Sequence, residues 1–166
     1  MRLLGYVLTR LGPVALAVLL SLVIVAPALA TGPTNDRSHG RVLWARMSGA
    51  QEVPGPGDPD GKGIAKITLL PGYGTICFRI RVRALTLPAT AAHIHSGDRG
   101  VAGPVVIPLG APDAEGKAKG CVTDVDPALI RDIWMNPRSY YVNVHTSDFP
   151  GGAIRGQLHR NNGHNS

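Results

Sequence analysis

Apolar and polar residues alternate along most of the chain from residue 41 to residue 159, in short segments separated by turns rich in Gly, Pro and Asp. A period of two is typical of β-strands whose two faces meet different surroundings. The pattern predicts strands at Val42–Met47, Ile64–Leu70, Thr75–Arg83, Ala91–His95, Val105–Leu109, Lys117–Val122, Tyr140–His145 and Ala153–Leu158. Many short strands with frequent turns indicate an all-β fold, an antiparallel Greek-key sandwich or barrel.

A single segment shows helical spacing instead. In Pro127–Trp134 the apolar residues recur at intervals of one helical turn, so that they share one face. Asp126 can cap the first turn, and Pro127 suits the first helical position. Pro137 follows the segment and is expected to end it. The prediction is therefore one short helix connecting two strands.

The first thirty residues have the pattern of an export signal. Arg2 and Arg10 precede the apolar run Val14–Val25, and Ala28-Leu29-Ala30 fits the small-x-small cleavage rule. Cleavage after Ala30 would release a secreted or cell-surface protein. The alternative is an uncleaved segment that anchors the chain in a membrane.

The remainder is long enough for one domain, expected at residues 41–159. The polar residues 31–40 are expected to form a linker, and residues 160–166 a disordered tail. Without the two arginines of the signal, the net charge falls from +6 to +4, since 15 Lys and Arg remain against 11 Asp and Glu. This modest basic excess fits an extracellular protein partner of acidic character or an anionic surface polymer. It is too small and scattered to indicate nucleic-acid binding.

Two cysteines in an exported chain predict a disulfide bond. Strand periodicity places Cys77 and Cys121 each on the polar face of its strand, so the two can meet on one side of the sheet. The alternative is two unpaired thiols, and the absence of CxxC spacing argues against a cysteine zinc site. A bridge would gather five cations on one face: Arg79, Arg81, Arg83, Lys117 and Lys119.

Three histidines occupy outward-facing strand positions. If Ile94 points into the core, His93 and His95 share the outer face of their strand. In Tyr140–His145 the two valines point inward, so that His145 points outward. Three imidazoles suit Cu(II) or Zn(II), and the Asp98 carboxylate could complete or orient such a site. The alternatives are solvated surface histidines and a hydrogen-bonded cluster that holds neighbouring loops together.

Three longer motifs resemble one known family. They are Ser48–Pro54 after the first strand, Gly97–Val106 after the HxH strand, and Val142–Thr146 continuing through Phe149–Leu158. Together they resemble the CHRD domain, a module repeated in the animal protein chordin and found singly in secreted microbial proteins. The resemblance spans Arg41–His159. It implies a secreted β-sandwich module with a non-enzymatic extracellular binding or cell-surface role.

The same motifs contain polar residues to which we assign structural roles. Glu52 and Arg155 are each expected to pin a loop through hydrogen bonds or an ion pair, and a pair between the two is one option. The alternative is two exposed charges. Three further residues complete this structural set: Asn143, Thr146 and Gln157.

A second resemblance concerns the histidines. The HxH strand, the Gly-rich loop and the later strand ending in His are similar to the copper half of a Cu/Zn superoxide dismutase. His93, His95 and His145 would match copper ligands, and Arg155, placed at the rim, would match the arginine that guides an anion. No His lies between His95 and His145, so the bridging histidine and the zinc ligands are missing. The resemblance implies a three-histidine copper or zinc site, with a dismutase-like enzyme as one form of this alternative. The lack of a nucleophile–base pair favours a binding module over an enzyme.

Overall fold

The computed structural model describes residues 40–161. The predicted signal peptide, almost all of the predicted linker and most of the predicted tail lie outside the described residues. Within residues 40–161, no helix combines the length and apolar character needed to cross a membrane.

Nine strands and one α-helix make up the described region. The strands are β1 (Arg41–Ser48), β2 (Lys62–Leu70), β3 (Thr75–Arg83), β4 (Ala91–Ser96), β5 (Val105–Leu109), β6 (Lys117–Val122), β7 (Tyr140–His145), β8 (Ile154–Gln157) and β9 (His159–Arg160). The helix α1 covers Pro127–Met135, and 3₁₀ turns cover Gly49–Gln51, Pro71–Tyr73 and Pro137–Ser139.

All strand pairs are antiparallel, in the order β5-β4-β7-β8-β1-β2-β3-β6, with β9 also paired to β1. The sheet curls until its two edge strands, β5 and β6, approach each other, which makes a nearly closed barrel. The predicted all-β antiparallel fold with one short helix is confirmed. The two-residue strand β9 was not predicted. It pairs Arg160, the first residue of the expected tail, with Leu43.

Alternate residues of the strands fill the barrel interior, as the period of two predicts. The Asp126 carboxylate accepts a hydrogen bond from the Ala128 amide at 2.8 Å and begins α1, whose Ile130 and Ile133 are buried in the same core. Burying each large aliphatic side chain contributes about 1.5–3 kcal/mol. The fully buried strand residues include Leu43, Ile67, Leu69, Ile76, Ile80, Ile94, Val142, Val144 and Ile154.

The two cysteines lie directly opposite each other on β3 and β6 and form a disulfide bond. This confirms the predicted pairing, which rested on the shared outer face of the two strands. The bond ties the edge strand β6 covalently to the sheet across a sequence separation of 44 residues.

We expect the unfolded, unreduced protein to show no reactive thiol on titration, and the reduced protein to show two. Replacing both residues, Cys77→Ala with Cys121→Ala, should lower the free energy of unfolding by about 4 kcal/mol, because the open chain regains loop entropy. Urea unfolding monitored by fluorescence measures this difference. Two reactive thiols without a reductant would reject the disulfide.

Candidate metal centre

Strands β4, β7 and β8 are neighbours, and their register builds a polar surface on the outer side of the barrel. His93 lies opposite Asn143, which in turn lies opposite Arg155. Two residues further along β7, on the same face as Asn143, His145 lies opposite Ala91. This position brings it close to His93. The register itself is held by the inward residues of the same strands, because a slip by one residue would expose them.

The structure brings the three predicted histidines together. His93 Nδ1 lies 3.2 Å from His145 Nε2. One ring nitrogen from each of His93, His95 and His145 can be chosen so that all three lie within 4.8 Å of one another. Any three such points share a position roughly 2.8 Å or less from each, whereas Zn–N bonds are about 2.0–2.1 Å long. A small inward movement of the rings would therefore complete a three-nitrogen site.

Backbone carbonyls orient two of the rings. His95 Nδ1 lies 2.8 Å from the Gly103 carbonyl oxygen, and His145 Nδ1 lies 2.9 Å from that of Pro150. A carbonyl oxygen only accepts, so each Nδ1 carries the proton and each Nε2 keeps its lone pair. Metal-binding histidines characteristically donate their second ring N–H in this way.

One lone pair in the cluster has no partner. His95 is 9% exposed, and its Nε2 atom is buried without a hydrogen bond. The Oδ1 atom of the neighbouring Asn143 is also buried without a partner. The Asn143 side chain lies close enough to His93 and His95 to raise the pKa of each ring, against the larger effect of burial. It makes no hydrogen bond of good geometry with His95 Nε2, so two buried polar atoms face each other unsatisfied where such atoms are nearly always paired.

Burial also lowers the pKa of His93 and of His95, and the mutual proximity of the histidines lowers the pKa of His93 further. Neutral imidazole is therefore the prevailing form of both rings near neutral pH. The neutral form is the one that binds metals.

The ring of His95 is held by stacking. Tyr141 lies parallel to it, with ring centroids 4.7 Å apart and an interplanar angle of 11°. The Arg155 guanidinium lies 3.4 Å from the Tyr141 centroid. Tyr141 lies on the same face of β7 as Asn143 and His145, but the sequence carried no signal for this stack.

Arg155 does not lie at the rim, and that expectation is wrong. It is 1% exposed, and its guanidinium donates hydrogen bonds to the carbonyl oxygens of Val101 at 2.9 Å and Asp98 at 2.8 Å. The reason is that the loop between β4 and β5 covers β8. Gln157 holds the same loop by donating to the Gly97 carbonyl at 2.6 Å. Both side chains therefore pin this loop over the site.

The backbone of this loop, not the Asp98 carboxylate, makes the contacts. Asp98 is exposed, and the cluster of candidate ligand atoms contains histidines only. Gly103 is required where the loop returns to β4, since a Cβ there would lie 1.5 Å from the Ser96 carbonyl oxygen. This close return brings the Gly103 carbonyl to His95.

The loop after β7 is held separately. Thr146 is fully buried, and its hydroxyl accepts a hydrogen bond from the Phe149 amide at 3.2 Å. The turn places the Pro150 carbonyl beside His145. Thr146 thus shapes the second loop of the site.

Glu52 is buried between two loops. A Cβ at Gly57 or Gly152 would lie within 3 Å of its side chain, so both glycines leave room for it. Burial raises the pKa of Glu52 to about 7, against the attraction of Arg155 and a backbone hydrogen bond at Val53. Arg155 does not pair directly with it, because the guanidinium donates to the loop carbonyls instead.

These features define an antiparallel β-barrel module with a three-histidine cluster beneath two ordered loops. The CHRD domain profile matches residues 43–158, and the chain belongs to the CHRD domain family. Among curated proteins and solved structures there is no significant match.

The buried carboxyl predicts a pH effect. Glu52 has an ordinary pKa of 4.5 and a folded pKa of about 7, so the folded state binds its proton more tightly. Its contribution to stability is complete below pH 4.5 and is lost as pH rises to about 7. The free energy of unfolding of Glu52→Gln, relative to wild type, should therefore rise by about 3 kcal/mol over this range.

Urea unfolding of both proteins between pH 4 and pH 8 measures this difference. Glu115→Gln is the matched control, because it makes the same substitution at an exposed position. A flat difference for Glu52→Gln would contradict the raised pKa.

Proposed function

We propose that this protein is a CHRD-domain metal-binding module in which His93, His95 and His145 hold a copper or zinc ion. The buried Nε2 atom of His95, which has no partner, supports this proposal most directly. It belongs to a cluster whose other two rings already lie within hydrogen-bonding distance of each other. A metal ion would use this unsatisfied lone pair of His95.

The donor set fits these two metals. Imidazole nitrogens suit copper and zinc, and the order of affinities for divalent metals places copper above zinc. Both cysteines are committed to the disulfide, so no thiolate competes within the site. Three protein ligands would leave one coordination position open to water or a small anion.

The alternative of a hydrogen-bonded histidine cluster explains only part of the arrangement. The His93 Nδ1–H group can donate to His145 Nε2 at 3.2 Å and so link two strands without a metal. It does not satisfy His95 Nε2. In the metal-bound form both facing nitrogens would offer lone pairs to the ion, and the proton of the His93 ring would be carried by its Nε2 atom instead.

Binding is favoured over dismutase-like turnover. The sequence lacks the bridging histidine, and the guanidinium expected to guide an anion is buried and bonded to carbonyls. Neither feature prevents a metal from binding to the three histidines. The ion would then hold the two covering loops against the barrel or present its open position to a partner.

An extracellular location remains part of the proposal. Disulfide bonds persist in oxidising compartments, and the signal-like residues 1–30 would deliver the chain there. A secreted or cell-surface module would encounter copper and zinc outside the cell.

Titration of untagged, chelator-treated protein with Cu(II) or Zn(II) in a calorimeter tests the site. We expect one ion per chain. His95→Gln should weaken binding at least about 100-fold, because even outer-shell partners of metal ligands typically account for 10–100-fold. The Cu(II) complex should also show nitrogen hyperfine coupling in its electron paramagnetic resonance spectrum.

His159→Gln is the matched control, because His159 lies on β9, outside the cluster. It should bind as wild type does. Equal affinities for His95→Gln and His159→Gln would overturn the proposal, as would binding that survives replacement of all three clustered histidines.

A further inference from the structure

The outer face of β1, β2, β3 and β6 carries cations in register. Across the sheet, Lys66 lies opposite Arg79, which lies opposite Lys119. In the next row, Arg81 lies opposite Lys117. With the outward residues of β1 and the ends of β2 and β3, these form what we term the cationic face: Arg46, Lys62, Lys66, Arg79, Arg81, Arg83, Lys117 and Lys119.

Periodicity predicted five of these cations. The pairing of β1 with β2, and of β2 with β3, adds Arg46, Lys62 and Lys66. Seven of the eight are exposed, and Lys66 is half-buried. None forms an ion pair with a carboxylate in residues 40–161. An acidic turn precedes β6, where the Asp113 carboxylate accepts a hydrogen bond from the Lys117 amide at 2.8 Å.

A groove runs along this face, with a volume of about 710 Å³. Its cations surround two apolar side chains, Trp44 and Ile64, and Ile64 is 46% exposed. Lys66 Nζ lies 5.8 Å from the centroid of the Trp44 ring. The groove therefore combines positive charge at its sides with an exposed apolar strip.

The spacing of the charges is fixed by the sheet. Neighbouring strands lie about 4.8 Å apart, and outward residues of one strand about 6.8 Å apart. The Cys77–Cys121 bridge occupies the row next to Arg79 and Lys119, so it holds β3 and β6 together where they carry their cations. The cationic face is thus a rigid grid of charges separated by distances on the scale of one sugar unit.

From this arrangement we infer that the cationic face binds a linear anionic polysaccharide along the groove. Carboxylate or sulfate groups meet the cations, and the apolar faces of sugar rings pack on Trp44 and Ile64. A single exposed ion pair contributes little, so affinity depends on several pairs formed at once along the polymer. The strands that carry this face lack the three histidines, so the inference is independent of the metal site.

A polysaccharide fits better than the other polyanions. Single-stranded nucleic acids rely on aromatic side chains that stack successive bases, and Trp44 is the one aromatic residue among those lining the groove. The disulfide beside the cations is typical of proteins outside the reducing cytosol. Polysaccharides that bear carboxylates or sulfates are common on cell surfaces.

Binding of fluorescently labelled polygalacturonate to the full-length protein tests the inference. Highly methyl-esterified pectin is the matched neutral polymer. We expect binding to polygalacturonate that weakens at least tenfold between 50 and 300 mM NaCl, because salt screens exposed charges. The esterified polymer should bind at least tenfold more weakly at low salt.

Two variants assign the binding to this face. The double variant Arg79→Ser with Arg81→Ser should reduce affinity at least tenfold. The control, Arg131→Ser with Arg138→Ser, removes the same charge from exposed positions outside the face and should reduce affinity less than threefold. Trp44→Ala should lower affinity and leave the salt dependence unchanged. Far-ultraviolet circular dichroism of each variant confirms that the barrel is intact.

Competition separates the other polyanions. Inorganic polyphosphate, oligodeoxythymidylate and phosphatidylglycerol vesicles should each displace polygalacturonate less effectively than unlabelled polygalacturonate does. Stronger displacement by any of them would overturn the polysaccharide assignment. Equal affinities of the two double-arginine variants, or binding insensitive to salt, would overturn the role of the face.

Discussion

The structure depends on the burial of one face of a curved antiparallel sheet. Side chains such as Ile94, Val142 and Ile154 are inaccessible to solvent, and a slip of one residue in any strand would expose its whole apolar set. Burial thereby fixes the register of every strand, and the register fixes which polar residues become neighbours on the outside. The histidine cluster and the cationic face are two results of this single constraint, on different parts of the same sheet.

The histidine cluster differs from a surface patch because ordered loops cover it. A buried arginine, a glutamine and a tight glycine return hold the loop after β4, and a buried threonine shapes the loop after β7. These loops supply the carbonyl groups that select the protonated nitrogen of His95 and of His145. Covering the cluster with these loops requires the burial of the Arg155 guanidinium and of the Glu52 carboxyl. The fold favours the protonated form of that carboxyl.

Periodicity predicted the parts of this architecture that depend on alternation. The observed bounds of β3, β5, β6 and β7 agree with the pattern. The outward positions shared by the two cysteines predicted the disulfide, and those shared by the three histidines predicted their cluster. Alternation does not reveal what covers a face. Arg155 was therefore placed correctly on the outer side and wrongly at the rim, because the loop that encloses it has no period. The strand β9 escaped detection because its two residues are ordered by pairing with β1.

The two edges of the sheet are both protected against the addition of another strand. The edge strand β5 contains Pro108, which has no amide proton to donate, and the opposite edge strand β6 is short, carries two lysines and is bonded covalently to its neighbour. A peptide commonly binds an open sheet by pairing its backbone with an edge strand. Such pairing is disfavoured at both edges of this sheet. Recognition by this domain therefore depends on side chains. The pairing of the strands in the nearly closed barrel fixes the distances between them.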